Sequence, residues 1–492
     1  MQFINDRLNF LFKSTKGLIL VAIAMIGLET SLFGMLSGPM AEFGIRDVVV
    51  RLLQMDLVQA EREGRIIILY HSIAVAVVAI ETYIITALIK MKEFYKTAIR
   101  LLITVGYLSA MVFGMGFAYW GHNWALHGLF IAGLTLVFFA GVLLVIALWP
   151  WNKEFYQPEK AYSRTKNGVD LERVAFFAMA LTTLISVLFG AVPGSNYGNG
   201  FTVFLAENII RSPDKTISQF SVIGHLHIML ALIAIAVTLI IGHWLDFRGV
   251  LHKIAMPLMI LGTIVLNLGV WGVVTPLEPV AHMIIYVGAT PSMLAALMLV
   301  IFGFDKFIRQ GIVGVAKPNV WHKVKALVRD PLRFGALWQM VFMNFTVSGI
   351  GIMMAVKLDE IFRLWPAREE RIELTGHWHI LSGIIATIIL LYYGDMIGLK
   401  GKTRRWYGWG IIILSDLAFA SVTIFEMKRL FITEAEQQPL VNTIMVLADF
   451  GLGMLLVILA TVMIWRLIDL FKRKGRWTQE AEQDDLQAEV EI

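Results

Sequence analysis

The sequence predicts an all-α, polytopic membrane protein with about 12 transmembrane helices in three four-helix repeats. The first observation is composition: 58% of the 492 residues are hydrophobic and 16% are charged, against roughly 50% and 25% in soluble proteins. The second is a series of apolar stretches, each close to the ~20 residues that a membrane-spanning helix needs. The third is a set of histidines that recurs along these stretches at a nearly constant interval.

The apolar stretches follow one another with short connections from Gly17 onward. The first stretch is longer than the apolar core of a secretion signal, so we interpret it as a helix of the mature chain. The acidic segment 479–492 is predicted to be a disordered tail. The predicted spans are 17–38, 66–90, 99–119, 125–149, 172–193, 221–242, 252–274, 281–303, 334–356, 374–395, 406–425 and 441–467.

Histidines mark equivalent places in successive groups of four spans. His71, His225 and His377 stand in the second span of each group, 154 and 152 residues apart. His127 and His282 stand in the fourth span of the first two groups, 155 residues apart. A constant period of this length indicates internal duplication within a single membrane domain, 1–478. The predicted repeats are 17–149, 172–303 and 334–467.

Basic residues are concentrated in alternate loops, which predicts the orientation of the chain. Segments 90–100, 304–333 and 396–405 are rich in lysine and arginine, as are both ends of the membrane domain. By the positive-inside rule, both termini are cytoplasmic. The net charge of +5 then belongs to cytoplasmic loops and gives no reason to expect a nucleic-acid partner. Eight of the eleven histidines fall on the outer side: His71, His122, His127, His225, His227, His282, His377 and His379.

A layer of histidines inside a membrane points to a bound metal group. An unpaired imidazole in lipid costs several kcal/mol, and haem iron is a partner that histidine often ligates. The chain has no cysteine, which excludes disulfides, iron–sulfur ligation, thiolate ligation of haem and covalent c-type attachment. The sequence therefore predicts non-covalent haem bound by histidine.

Two histidines separated by one residue cannot serve the same iron from one helix. His377 and His379 are rotated by about 200° from each other on a helix, so they face nearly opposite ways. They are therefore predicted to hold two haems, one on each side of the tenth span. His71, at the same depth on the second span, is predicted to supply a second axial ligand to one of them.

These features resemble the catalytic subunit of the haem–copper oxidase superfamily, and most closely its nitric oxide reductase branch. The resemblance covers most of the chain and is carried by Gly376-His377-Trp378-His379, by His71 and the residues 65–70 before it, by 344–353, and by the twelve spans. It implies a respiratory oxidoreductase of the inner (cytoplasmic) membrane, within a multi-subunit complex. A cytochrome c-type subunit or a quinol would supply its electrons.

The resemblance also implies roles for individual histidines. His71 and His379 match the axial ligands of the low-spin haem b, and His377 matches the proximal ligand of the high-spin haem b. His225 matches the histidine of the sixth span that binds the second metal, which is copper or non-haem iron in this superfamily.

The chain departs from the family at the second metal. The matching part of the seventh span, 267–274, contains no histidine, whereas nitrogen-ligated metals usually take three or four protein ligands. Two alternatives stay open. One is a rearranged metal site that uses His225, His282 or Glu278. The other is a third haem, bound by His225 or His227 together with His127 or His282.

Ionisable residues near these histidines are further candidates. Glu81 lies inside the second span, where ionisable groups are rare and often functional, so Glu81 and Glu278 are the candidate catalytic carboxylates. Polar packing between helices is the alternative for Glu81. Arg363, Arg368 and Arg371 precede the tenth span on the outer side and are candidates for binding haem propionates. A solvated, salt-bridged loop is the alternative for these arginines.

Three functions are compatible with this sequence. The first is a haem-containing oxidoreductase that resembles nitric oxide reductase or a terminal oxidase. The second is a non-catalytic haem relay of the same fold that lacks the second metal, which the missing histidines of the seventh span favour. The third is a twelve-helix solute transporter, although transporters usually place their polar groups at mid-membrane rather than near one face.

Overall fold

The computed structural model of the chain describes residues 2–37, 41, 43–57, 62–121, 123–157, 164–194, 217–275, 277–357, 360–361, 364–365, 367–433 and 437–490. It confirms an all-α, polytopic membrane protein. Among the described residues, twelve helical segments are long and apolar enough to cross a membrane, and each corresponds to one predicted span. The predicted division into three repeats stays a prediction.

The helices are numbered here in chain order. The first eight are α1 (Gln2–Lys13), α2 (Thr15–Ser37), α3 (Ile45–Leu53), α4 (Arg62–Leu88), α5 (Glu93–Trp120), α6 (Trp124–Ala147), α7 (Leu171–Gly194) and α8 (Ile217–Trp244). The next five are α9 (Val250–Gly272), α10 (Glu278–Gly311), α11 (Val320–Leu327), α12 (Pro331–Val341) and α13 (Ser348–Val356). The last four are α14 (Ala367–Met396), α15 (Gly401–Met427), α16 (Gln437–Phe471) and α17 (Arg476–Val490).

Two short features interrupt this pattern. The ninth span is not one continuous α-helix, because a π-helical segment, Phe342–Val347, joins α12 to α13. Such segments are rare and are often found at functional sites. Before α7, the strands β1 (Thr165–Lys166) and β2 (Val169–Asp170) form a small antiparallel hairpin.

The chain divides into two compact units. Unit 1 comprises residues 1–236, 260–288 and 467–492, and unit 2 comprises 237–259 and 289–466. Within unit 1, α5 and α6 approach each other closely at two glycines. A Cβ atom on Gly133 would lie 2.7 Å from the carbonyl oxygen of Gly106. Small residues at such a crossing let helices pack tightly in a membrane.

The two ends of the chain meet in unit 1. Arg7 donates hydrogen bonds to the carbonyl oxygens of Leu470 and Lys472, and the rings of Phe10 and Trp477 are 6.0 Å apart. These contacts hold α1 against the end of α16 and the start of α17; the cytoplasmic location of both termini stays a prediction.

The C-terminal tail is helical up to Val490, whereas its charge predicted disorder. The carboxylate of Asp469 explains the difference, because it accepts hydrogen bonds from the backbone N–H groups of Arg476 and Trp477 at 2.9 and 3.0 Å. These N–H groups open α17, and capping them favours the helix. The packing of Trp477 against α1 then holds the helix in place.

An ion-pair cluster joins four helices of unit 2. Arg404, near the start of α15, binds Asp330 at 2.9 and 2.7 Å and Asp395 at 2.5 Å. Asp395 also accepts a hydrogen bond from Trp244 at 2.6 Å and lies 3.4 Å from Arg333. Asp330 caps α12, Asp395 lies near the end of α14, and Trp244 ends α8. The cluster therefore fixes these helix ends together.

Candidate functional site

The most distinctive polar contact in unit 1 is between His71 of α4 and His225 of α8. Their ring centroids are 6.3 Å apart, and the ring planes differ by 33°. Both side chains are half-buried, on helices that are otherwise largely apolar. The sequence placed these residues at equivalent points of two repeats, and the structure brings them side by side.

A backbone carbonyl orients the ring of His225. Its Nδ1 lies 3.1 Å from the carbonyl oxygen of Ser186 in α7. Because a carbonyl can only accept, Nδ1 carries the hydrogen and donates it, which leaves a lone pair on Nε2 of the neutral ring. This is the arrangement that histidine ligands of metals usually show, with one nitrogen held by a carbonyl and the other free to ligate.

Polar side chains of α9 form hydrogen bonds with the hydroxyl group of Ser186. The Ser186 hydroxyl accepts a hydrogen bond from the indole N–H of Trp271 at 3.1 Å and lies 3.0 Å from Oδ1 of Asn267. Trp271 also stacks on Phe189, with centroids 6.0 Å apart and planes within 7°. Asn267 and Trp271 belong to the stretch of α9 that lacks the expected histidines. In the structure, this stretch of α9 supplies the hydrogen-bonding side chains next to Ser186 and the aromatic ring of Trp271.

The absence of a side chain at Gly190 leaves room for the ring of His225. A Cβ atom at position 190 would lie 2.7 Å from Nε2 of His225 and 2.8 Å from both neighbouring ring carbons. These nearly equal distances place Gly190 against the face of the ring. Gly190 therefore does not block the in-plane direction of the Nε2 lone pair. Gly190 and Ser186 stand four residues apart on the same face of α7.

His71 has a buried nitrogen that the described residues leave without a hydrogen-bond partner. This atom is Nδ1. The ring also packs edge-on against Phe130 of α6, at 6.0 Å between centroids. A buried polar atom that lacks a partner destabilises the fold by about 1–3 kcal/mol. A group bound between the helices would remove that cost.

His377 and His379 lie on α14 in unit 2, in different surroundings. His377 is half-buried, and its Cδ2 would be 3.4 Å from a Cβ atom on Gly351 of α13. His379 is exposed. The difference agrees with the prediction that the two rings face different sides of their helix. The predicted pairing of His71 with His379 stays a prediction.

The remaining candidate histidines do not gather into a metal site. His127 is buried and stacks on Phe117 and Trp124, whereas His227 and His282 are exposed. Among the residues that the structure describes, no group of three or more His, Cys, Asp or Glu side chains could hold a metal ion. A third haem that uses His127, His227 or His282 stays a prediction.

The candidate carboxylates and arginines are only partly described. Glu81 is buried in α4, and its Oε1 has no hydrogen-bond partner among the described residues. Glu278 is the first residue of α10, and Arg368 and Arg371 lie in the first turns of α14; the side chains of these three are not described. Arg363 and His122 lie outside the described residues. The structure thus leaves the roles predicted for these residues as predictions.

Sequence reasoning missed Ser186, Gly190, Asn267 and Trp271. The spacing of Ser186 and Gly190 was the available signal, because two small residues four apart in an apolar helix often mark a close approach. The group that approaches this helix is the ring of His225. Its position depends on how α7 and α8 pack, and the sequence of neither helix indicates it.

No family model, curated protein or solved structure matches this chain.

Proposed function

We propose that this chain is an integral-membrane haem protein that relays electrons and binds a b-type haem between His71 and His225. The observation that carries the proposal is the close pair of these two rings, with Nδ1 of His225 held by the Ser186 carbonyl. The membrane location of the pair and the absence of cysteine support haem held by histidine rather than a thiolate or iron–sulfur site.

The spacing of the two rings fits a metal ion with an imidazole on each side. A metal–imidazole nitrogen bond is about 2.0–2.1 Å long, so two rings that ligate one ion from opposite sides have centroids roughly 6 Å apart. The observed 6.3 Å agrees with that value. The centroid distance is therefore compatible with one metal group bound between the two rings.

The same geometry favours a relay over a gas-reducing enzyme. A haem held by both His71 and His225 would supply one-electron transfer rather than gas binding. His71 and His225 would hold the group, and the Ser186 carbonyl keeps Nε2 of His225 unprotonated by binding Nδ1–H. In the family that the sequence resembles, the stretch matching Asn267 and Trp271 carries two further metal ligands.

A second candidate function rests on His377. Its half-buried ring beside Gly351 differs from the exposed His379, so a second haem on His377 could have one protein ligand and an open face. That arrangement would support the oxidoreductase that the sequence resembles, nitric oxide reductase-like or oxygen reductase-like. In both proposals the protein resides in the inner membrane, within a respiratory complex, and receives electrons from a c-type cytochrome or a quinol.

The deciding experiment is a spectrum of the purified, haem-replete chain with haem and metal counts. We expect a reduced-minus-oxidised spectrum of b-type haem, a pyridine haemochrome of haem b, and neither copper nor non-haem iron in stoichiometric amount. A spectral shift with carbon monoxide would indicate the second, five-coordinate haem, and one copper or non-haem iron per chain would favour catalysis. A colourless protein would contradict haem binding and favour the transporter.

Gly190 offers a test of the His225 site that leaves both ligands in place. A valine at position 190 would meet the ring within 3 Å, so the ring must leave the Ser186 carbonyl or tilt away from His71. We expect Gly190→Val to lower haem occupancy severalfold, measured as the ratio of Soret to protein absorbance. Gly34→Ala in α2, where no atom lies within 4 Å of the added Cβ, is the control and should keep full occupancy.

A further inference from the structure

A continuous row of aromatic rings connects one end of unit 1 to the histidine pair. Successive ring centroids are 6.1, 5.4, 5.8, 6.0 and 6.3 Å apart. Each ring centroid thus lies within 6.3 Å of the next. The row consists of Trp124, His127, Phe117, Phe130, His71 and His225.

The row runs from an exposed ring to buried ones. Trp124 is 66% exposed, whereas His127, Phe130 and Phe117 are 8%, 3% and 1% exposed. Trp124 begins α6 next to the connection 121–123, in which Gly121 and Asn123 are accessible. This end of unit 1 is opposite to the basic segment 90–100, where α5 begins. The row therefore leads from an exposed ring at the start of α6 to buried rings inside unit 1.

The centre of the row depends on a glycine. A Cβ atom on Gly114 of α5 would lie 3.2 and 3.3 Å from two ring carbons of Phe130 and 2.8 Å from the hydroxyl oxygen of Ser72. Gly114 thus lets the Phe130 ring lie between Phe117 and His71. Aromatic packing alone explains rings in contact, but it does not require one uninterrupted path from the surface to the histidine pair.

We propose that this row is the route by which an electron reaches the haem, and this inference rests on the proposed function. A one-electron redox protein on the water side of Trp124 would lose one electron, and the ferric iron held by His71 would gain it and become ferrous. No bond is made or broken, and no proton is required. Electronic coupling falls steeply across gaps, so closely packed rings transfer an electron faster than the same distance through loosely packed side chains.

The absence of cysteine makes a direct test practicable. A single cysteine introduced at the exposed position Ala125, next to Trp124, can carry a ruthenium photoreductant as the only label on the chain. A laser flash then delivers one electron, and transient absorbance follows the reduction of the haem without any enzymatic turnover. A label on Lys92→Cys, exposed at the opposite end of α5, provides the comparison.

We expect fast haem reduction from the label at position 125 and a rate at least severalfold lower after Trp124→Leu or Phe117→Leu. Trp124 is exposed, so its variant should fold even if the buried Phe117→Leu does not. Phe94→Leu, which removes a 74% exposed ring at the other end, should leave the rate unchanged. The static haem spectrum of each variant must match the parent, which separates loss of the route from loss of the haem.

Two results would overturn the route. One is an unchanged rate in both Trp124→Leu and Phe117→Leu with full haem occupancy. The other is equally fast reduction from the label at position 92. Either result leaves the proposed function standing, because the haem is still bound. A parent chain that contains no haem would instead remove both proposals together.

Discussion

Replacing His71 or His225 with alanine is expected to abolish the same low-spin haem signal. Both imidazoles would hold the haem in the proposed site, and their centroids are 6.3 Å apart, so removing either would leave the haem with one protein ligand. The signal to follow is the sharp α-band of the reduced haem, together with the low-spin ferric resonance in electron paramagnetic resonance. A new carbon monoxide response in the single variants would show the vacated position.

Alanine variants of three further histidines serve as controls and as a comparison for this experiment. His227→Ala and His282→Ala alter exposed side chains and are expected to keep the low-spin signal. His379→Ala separates the two possible partners of His71. If His71→Ala and His379→Ala lose the same signal while His225→Ala keeps it, the pairing implied by the family resemblance is correct and the pair proposed here is wrong.

Arg404→Ala is expected to destabilise unit 2 by about 2 kcal/mol. Arg404 binds both Asp330 and Asp395, and its side chain is 19% exposed. Removing one partner of a fully buried pair costs about 3–5 kcal/mol, and an exposed pair is worth 0–1 kcal/mol. The 33% exposure of the Asp330 side chain and the remaining bond from Trp244 to Asp395 place this cluster between these limits.

The measurement is the midpoint of thermal unfolding in detergent, followed by tryptophan fluorescence. Arg405→Ala is the matched control, because Arg405 is the neighbouring residue and is exposed. An equal loss of stability in both variants would mean that the effect comes from the charge of the segment. In that case the contacts to Asp330 and Asp395 would contribute little.

The twelve membrane spans could be predicted because they depend on local properties. Length and apolar composition are enough to recognise a helix that crosses a bilayer, since every backbone polar group must be satisfied within it. The opposed directions of His377 and His379 could be predicted for a similar reason, because the rotation per residue is fixed within one helix. Neither inference requires knowledge of how the helices pack.

The surroundings of His225 could not be predicted, because they arise between segments that are distant in sequence. Nothing in the sequence distinguishes the carbonyl of Ser186 from the other carbonyls of its helix. Its hydrogen bond with His225 exists only once α7 and α8 are packed. The same holds for Trp271 of α9, whose indole N–H donates a hydrogen bond to the Ser186 hydroxyl only once α7 and α9 are packed. The helical tail was missed because Asp469, the residue that caps α17, lies at the end of the preceding span.

The contact between Gly190 and the His225 ring has an evolutionary consequence. Each position limits what the other can hold, so descendants of this chain that keep the imidazole should also keep a residue without a side chain opposite it. A lineage that dispenses with the imidazole is released from that limit and can drift to alanine or larger. Coordinated change at these two sites across related genomes would mark the branches in which the ligand has been abandoned.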